Sequence, residues 1–167
     1  MHAERMGNIG STKTGAEGLP AGREATSPVE QLRFDLLRSA LYHDQRQQAL
    51  ARWHKALMFL SILLGSGAIA AFGAQYPQLG QAAGLAVAII GAAQLVFDFG
   101  GAARDHADLR SRFYALLSEA GPDCDVSVIT AQMTLAFADE PPIVPRVNRK
   151  AHNAAGTNMF GDDFTRA

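Results

Sequence analysis

A long stretch without any ionisable side chain limits what this chain can fold into. From Ala56 to Phe97 there is no Lys, Arg, Asp, Glu or His, although charged residues make up 19% of the sequence. The alternative is a pair of core helices in a soluble bundle, and such helices normally keep a polar stripe facing water. The polar side chains within the two apolar segments are few: Ser61, Ser66, Gln81 and Gln94. The stretch therefore predicts an integral membrane protein.

The stretch divides into two segments, each long enough to cross a bilayer. Residues 56–74 rise by about 1.5 Å each and span roughly 30 Å of hydrocarbon. The polar sequence at residues 75–78 follows, and Pro77 disfavours helix at the residue before it. Residues 79–97 form a second uncharged segment of similar length. A connection this short joins antiparallel neighbours, so we predict an all-α fold built around a transmembrane helical hairpin.

Basic residues lie on both sides of these segments and are missing from the loop between them. They are Arg46, Arg52 and Lys55 before the first segment, and Arg104, Arg110 and Arg112 after the second. Loops rich in Lys and Arg stay in the cytoplasm, so both flanks are expected there. Trp53 lies at the inner boundary, where aromatic side chains are enriched. We predict a multi-pass protein with both termini in the cytoplasm.

A specific start signal predicts a cytoplasmic helix before the first segment. Ser27 supplies a capping hydroxyl, Pro28 fits the first helical position, and Glu30 lies three residues after the cap. From there to Lys55 the chain contains good helix formers without Gly or Pro, and its apolar residues recur at helical spacing. This pattern predicts one amphipathic helix that leads into the first span.

Two shorter helices are predicted after the second segment, over residues 104–119 and 125–138. Asp108 and Arg112 are spaced for an ion pair on the first of them, and Gly100-Gly101 is expected to bend the chain where it leaves the membrane. The predicted organisation has three parts: a disordered tail over 1–26, a membrane domain with cytoplasmic helices over 27–140, and a mostly irregular tail over 141–167. Pro141, Pro142 and Pro145 are expected to stop the last helix.

The remaining residues give little support for an enzyme. The histidines at positions 2, 43, 54, 106 and 152 show no HExxH or other ligand spacing. His43 and His106, each beside an aspartate, are expected at the surface or at a helix interface. Cys124 is the only cysteine, which excludes an intramolecular disulfide, and a formal net charge of −1 does not suit a nucleic-acid binder. We therefore expect no catalytic residue, no metal or other cofactor, and no nucleic-acid partner.

Small residues recur along both predicted spans and favour close helix packing. The candidate packing positions are Gly65, Gly67, Gly80, Gly84 and Gly91, of which positions 80 and 84 form a GxxxG sequence. They could serve contacts within one chain or between chains, and the second interpretation predicts a homo-oligomer in the bilayer. Asp98, one residue past the second span, is a candidate for a pore mouth or a residue that reaches the lipid headgroups.

With these positions assigned, the chain resembles the SLATT family, the two-transmembrane effector modules associated with nucleotide-second-messenger defence systems in prokaryotes. The resemblance covers roughly residues 28 to 155. It rests on the residues 40–46, on Arg52-Trp53-His54-Lys55 leading into the first span, on the short loop, on residues 103–106 and 112–117 after the second span, and on residues 149–153.

This resemblance implies a pore-forming or membrane-disrupting effector of the bacterial inner membrane that kills the infected cell or makes it dormant before phage can spread. The expected partners are lipid, further copies of the chain and a separate sensor protein, because the chain carries no second-messenger-sensing domain of its own. Two other functions stay open at this point: a non-toxic membrane anchor or scaffold that docks a soluble partner, and a phage holin-like protein.

Overall fold

The structure is a computed structural model that describes residues 27–161 and residue 164. Within those residues it contains five helices and no strand, so the predicted all-α class is confirmed there. The helices are α1 (Pro28–Gly73), α2 (Pro77–Phe97), α3 (Phe99–Glu119), α4 (Val126–Ala138) and α5 (Pro145–Phe160). The predicted disordered tail over 1–26 lies outside the described residues.

Helix α1 begins at the predicted capping box. The Ser27 hydroxyl accepts a hydrogen bond from the Glu30 amide at 3.2 Å, and the Glu30 carboxylate accepts one from the Ser27 amide at 2.9 Å. Pro28 occupies the first helical position. The helix then runs for 46 residues without a break, roughly 69 Å at the usual rise. The predicted amphipathic helix and the first apolar segment are therefore one continuous rod.

Helix α2 returns along the second half of α1. Near one end of the pair, Gly80 packs against the Phe72 ring. Near the other, the Gln94 amide donates to the Ser61 hydroxyl at 3.4 Å. Because Phe72 and Gly80 lie close to the connection while Ser61 and Gln94 lie far from it, the two helices run antiparallel.

The chain breaks between α2 and α3 at Asp98, two residues before the predicted bend at Gly100-Gly101. Asp98 has a φ of 34°, in the left-handed region that Asp tolerates better than most residues. Its carboxylate accepts a hydrogen bond from the Gly101 amide at 2.9 Å and so caps α3. Gly101 is needed for this close approach, because a Cβ there would collide with the carboxylate.

A hydrophobic core forms where the first half of α1 meets α3 and α4. Leu36 and Phe113 are completely buried at its centre, with Leu109 and Ile129 beside them. The positions of α3 and α4 agree with the predicted helices. The predicted ion pair between Asp108 and Arg112 is confirmed, with the two groups 2.9 Å apart.

The prediction of a mostly irregular segment over 141–167 is wrong for its middle part, because α5 occupies Pro145–Phe160. Pro145, expected to stop a helix, takes the first helical position, where the missing N–H costs nothing. Helix α5 packs along the first half of α1. Ala151 and Ala155, four residues apart and fully buried, lie on its inner face, and His152 meets Phe34 edge to face at 5.2 Å.

Candidate functional site

Among the described residues, two helical regions, Pro28–Phe72 and Pro77–Glu119, each contain a stretch that is long and apolar enough to cross a membrane. The uncharged residues 56–97 place these stretches in the second half of α1 and in helix α2. The most apolar 18-residue stretch of each region is not buried inside the molecule. Large apolar side chains are instead exposed around both helices, among them Leu60, Ile62, Leu63, Ile69, Phe72, Leu85, Ile89, Leu95 and Val96. Soluble monomers rarely expose a contiguous apolar surface of more than a few hundred Å². This surface therefore needs an apolar surrounding that the other described residues do not supply.

The structure places the five candidate packing glycines in two different environments. Gly80 is buried, and a Cβ added there would lie only 2.7 Å from a carbon of the Phe72 ring. At Gly65, Gly67, Gly84 and Gly91 an added Cβ would meet nothing within 4 Å. Gly80 thus serves the contact between α1 and α2, while the other four lie away from it on open helix surface.

Asp98, the candidate for a pore mouth, lies at the joint between α2 and α3. Its side chain is exposed, and one carboxylate oxygen is held by the backbone of Gly101. The geometry gives this residue a structural part as the cap of α3. Whether it also lines a pore stays a prediction.

The surface position that was one of the two expected for His43 and His106 is wrong, because both lie at the interface between α1 and α3. His43 is completely buried and His106 is only 3% exposed. Their Nδ1 atoms lie 2.8 Å apart, so a side chain from α1 and one from α3 are hydrogen-bonded inside the bundle. A contact this short requires one nitrogen to carry a proton and the other to present a lone pair.

The helical periodicity of the apolar residues contains a signal that this pair is buried. His43 follows Leu36 and Ala40 on the apolar stripe of α1, and His106 lies three residues before Leu109 on that of α3. An aspartate lies next to each histidine, Asp44 after His43 and Asp105 before His106. Helical spacing turns each aspartate to another face, so the position on the stripe decides burial.

Aromatic and acidic groups surround the imidazole pair. The ring of His43 stacks on Phe113, with centroids 5.4 Å apart and planes 10° from parallel. Glu140, just after α4, brings a carboxylate oxygen within 3.3 Å of the His43 Nε2, although the two atoms lack hydrogen-bond alignment. The Tyr42 hydroxyl accepts a hydrogen bond from the Val144 amide at 3.0 Å. The pair therefore lies where α1, α3 and the connection between α4 and α5 meet.

Burial is the main reason why the pKa of His106 falls from 6.5 to about 4. The nearby His43 and Arg46 lower it further, while Glu140 and Asp105 act in the opposite direction. His106 is consequently neutral at physiological pH, in agreement with its contact to a second imidazole.

Ion pairs surround this site on the more exposed side of the bundle. Asp44, next to His43 on α1, and Arg110, one helical turn after His106 on α3, approach to 2.9 Å. Arg112 reaches Asp139 at 2.8 Å and links α3 to the end of α4. These groups are partly or largely exposed, and water screens their charges, so each pair contributes little to stability on its own.

The other histidines lie apart from this pair. His54 of α1 lies beside the backbone of Gly100, and His152 contacts Phe34; His2 is outside the described residues. Within residues 27–161 and at residue 164, no group of three or more His, Cys, Asp or Glu side chains is arranged to hold a metal ion.

No protein-family model matches the chain, and neither a curated protein nor a solved structure matches it.

Proposed function

We propose that this protein is an oligomeric pore-forming or membrane-disrupting effector whose second half of α1 and helix α2 form a transmembrane hairpin. The observation that carries the proposal is the apolar surface around both helices, which the rest of the described chain leaves uncovered. A bilayer supplies the surrounding that this surface needs. Every backbone group in a helix is hydrogen-bonded internally, so helices can span hydrocarbon at no cost in unpaired polar groups.

The dimensions of α1 support a bilayer location. From Trp53 to the end of the helix at Gly73 the rise is roughly 30 Å, the thickness of a hydrocarbon core. Trp53 is 64% exposed at one boundary and Tyr76 is 66% exposed at the other, as suits aromatic residues in the headgroup region. Arg52 and Lys55 flank the first boundary, which favours a cytoplasmic position for both termini.

The open glycines favour assembly of several copies. A single pair of helices encloses no channel, so a pore needs contacts between chains. Gly65, Gly67, Gly84 and Gly91 present backbone without side chains on surfaces that no other described part of the chain covers. In lipid, such positions let neighbouring helices approach closely. A second copy of the hairpin is the partner that we propose for them.

The resemblance to the SLATT family supports a role in anti-phage defence, in which leakage of the inner membrane kills the cell or makes it dormant. The bundle of α3, α4, α5 and the first half of α1 would then be the part that holds the assembly inactive. Its buried core and its ordered contacts suit a controlling element.

Expression of the chain from an inducible promoter in bacteria tests this proposal. We expect loss of membrane potential and arrested growth, followed with a potential-sensitive dye. Gly84→Leu should abolish the leak while leaving the protein in the membrane fraction, because the new side chain obstructs only contacts between chains. Leu85→Ile, on the neighbouring lipid-facing position, serves as the control and should leave the leak unchanged.

Normal growth and potential at high levels of membrane-inserted protein would overturn the pore proposal. If such cells also yield a soluble protein that co-purifies with the chain, the membrane-scaffold function is the correct one. Disruption timed to late phage lysis would favour a holin-like protein instead.

A further inference from the structure

The contact between His43 and His106 accommodates one proton between the two facing nitrogens. At 2.8 Å, one Nδ1 must donate and the other must accept. If both rings are protonated, two N–H groups face each other and two positive charges lie with ring centroids 5.1 Å apart. Like charges at this distance in a buried site repel strongly. A second proton therefore cannot enter while the two rings stay in contact.

The surroundings leave little room for relief by solvent. His43 is completely buried and His106 nearly so, and the Phe113 ring covers one face of His43. Removing a protonated imidazole from water is costly unless a counter-charge is close. Glu140, 3.3 Å from the His43 Nε2, can balance one protonated ring but not two, so relief of the repulsion requires the rings, and the helices that carry them, to move apart.

Charged groups face the pair from each element packed around it, and they do not cancel the effect of burial. Arg46 on α1 disfavours a further proton, whereas Asp105 on α3 and Glu140 after α4 favour one. The pKa of His106 nevertheless falls to about 4, because burial outweighs the two carboxylates. The opposite charges of Asp44 and Arg110 lie nearby and balance each other, so this ion pair adds no net charge beside the histidines.

The pair is connected to both apolar helices. Helix α1 continues from His43 to Gly73 without interruption. His106 belongs to α3, which begins at the joint with α2 at Asp98. Separation of the two histidines would therefore move the ends of both apolar helices. The Tyr42 hydrogen bond to Val144 ties the segment before α5 to the same point.

We propose that the His43–His106 pair is a proton-sensitive latch between α1 and α3, closed near neutral pH and opened when the compartment around the bundle becomes acidic. As a latch it is independent of the pore proposal; as a control of leakage it rests on that proposal. The trigger would be a fall in pH around the bundle.

The direction of the pH effect follows from the two pKa values. The folded state holds His106 with a pKa of about 4, below the 6.5 of an unfolded histidine. Between these values the unfolded state binds more protons, so stability is complete above the unfolded pKa and is lost as the pH falls toward the folded one. For a chain of this size the melting temperature should fall by about 5 °C between pH 7.5 and pH 5 from this group alone.

The test compares melting of the purified full chain in lipid nanodiscs at these two pH values. His106→Gln keeps an amide that can donate or accept but cannot be protonated, and it should remove about 5 °C of the pH-dependent fall. His54→Gln, outside the pair, is the matched control and should retain the full fall. The same fall in folded His106→Gln as in the unchanged chain would overturn the proposal.

NMR of the unchanged chain tests the latch even if the His106→Gln variant does not fold. In the unchanged chain, NMR of the histidine ring protons should show that one member of the pair stays neutral down to pH 5. Two ring signals that both titrate freely near 6.5 would overturn the latch.

Dye-loaded vesicles containing the full chain separate the latch from the pore. The leakage is compared at pH 7.5 and near pH 4, where the folded chain protonates His106. Leakage that rises near pH 4 in the unchanged chain, and not in His106→Gln, supports both proposals. A pH-dependent melting shift without leakage at either pH leaves the latch standing and overturns the pore. Leakage that is equal at both pH values and in both proteins leaves the pore standing and overturns the latch as its control.

Discussion

The two halves of helix α1 have similar helical geometry but bury their side chains differently. In the first half, Leu36, Ala40 and His43 form a stripe that is fully covered by the other helices of the bundle. In the second half, Ile62, Leu63 and Ile69 are all more than half exposed. The first half has the amphipathic pattern of a helix packed in water, whereas the second is apolar on all sides. This difference is the one expected if, as proposed, the first half of α1 lies in water and the second half lies in lipid.

A matched pair of leucine substitutions tests this difference with the largest expected effect. Leu36 is completely buried, while Leu63 on the same helix is 57% exposed. Leu36→Ala should cost about 3 kcal/mol of stability, because it removes methyl groups and leaves a cavity in a packed core. Leu63→Ala should cost less than about 1 kcal/mol, because its surroundings are equally apolar before and after unfolding within lipid. Thermal unfolding of the bundle in nanodiscs measures both changes.

Equal losses from the two leucine variants would contradict the assignment of two solvents. They would indicate that Leu63 is buried against protein to the same extent as Leu36.

Much of the difference between the two halves of α1 could be predicted from the sequence, because the pattern of charged residues is a local property of the chain. The absence of ionisable residues from Ala56 to Phe97 identifies the apolar region directly, and Ser27 with Glu30 identifies the start of α1. Both signals depend on neighbouring residues only. Whether the four open glycines contact another copy depends on a partner chain, so their role stays a prediction.

The features that sequence reasoning missed depend on contacts between distant segments. His43 and His106 were expected to be surface or interfacial residues, and their burial depends on how α1 and α3 meet. Helix α5 was missed because Pro145 can either stop a helix or begin one, and only packing against α1 decides between them. The break between α2 and α3 lies at Asp98 and not at the predicted Gly100-Gly101, because the Asp98 carboxylate caps α3.

A charge placed in each half of α1 should have the next largest effect. Ile69 is 77% exposed in the apolar half, and Ile69→Arg should disfavour membrane insertion by about 3 kcal/mol. Gln31→Arg, at an exposed position of the amphipathic half, is the control and should leave insertion unchanged within about 0.5 kcal/mol. The fraction of each variant in the membrane pellet after carbonate washing measures the effect. Full insertion of Ile69→Arg would argue that this half of α1 lies in water.

Loss of the cap at the start of α1 should have the smallest effect. Ser27→Ala removes the hydroxyl that accepts from the Glu30 amide and should cost about 1 kcal/mol. The loss should appear as faster amide hydrogen exchange in the first turn, with the apolar half of α1 unchanged. A change that spread into the second half would show that the two halves are less independent than their burial indicates.

The side of the membrane on which the loop between α1 and α2 lies tests directly whether the two helices form a transmembrane hairpin. In cells expressing a Cys124→Ser background, a cysteine at Gln78 should react with a membrane-impermeant maleimide added outside. Cys124 in the unchanged chain should react only after the inner membrane is opened. A transmembrane hairpin with both termini in the cytoplasm predicts this opposite labelling of the loop and the bundle. Labelling of both positions on the same side, or recovery of the chain in the soluble fraction, would contradict it.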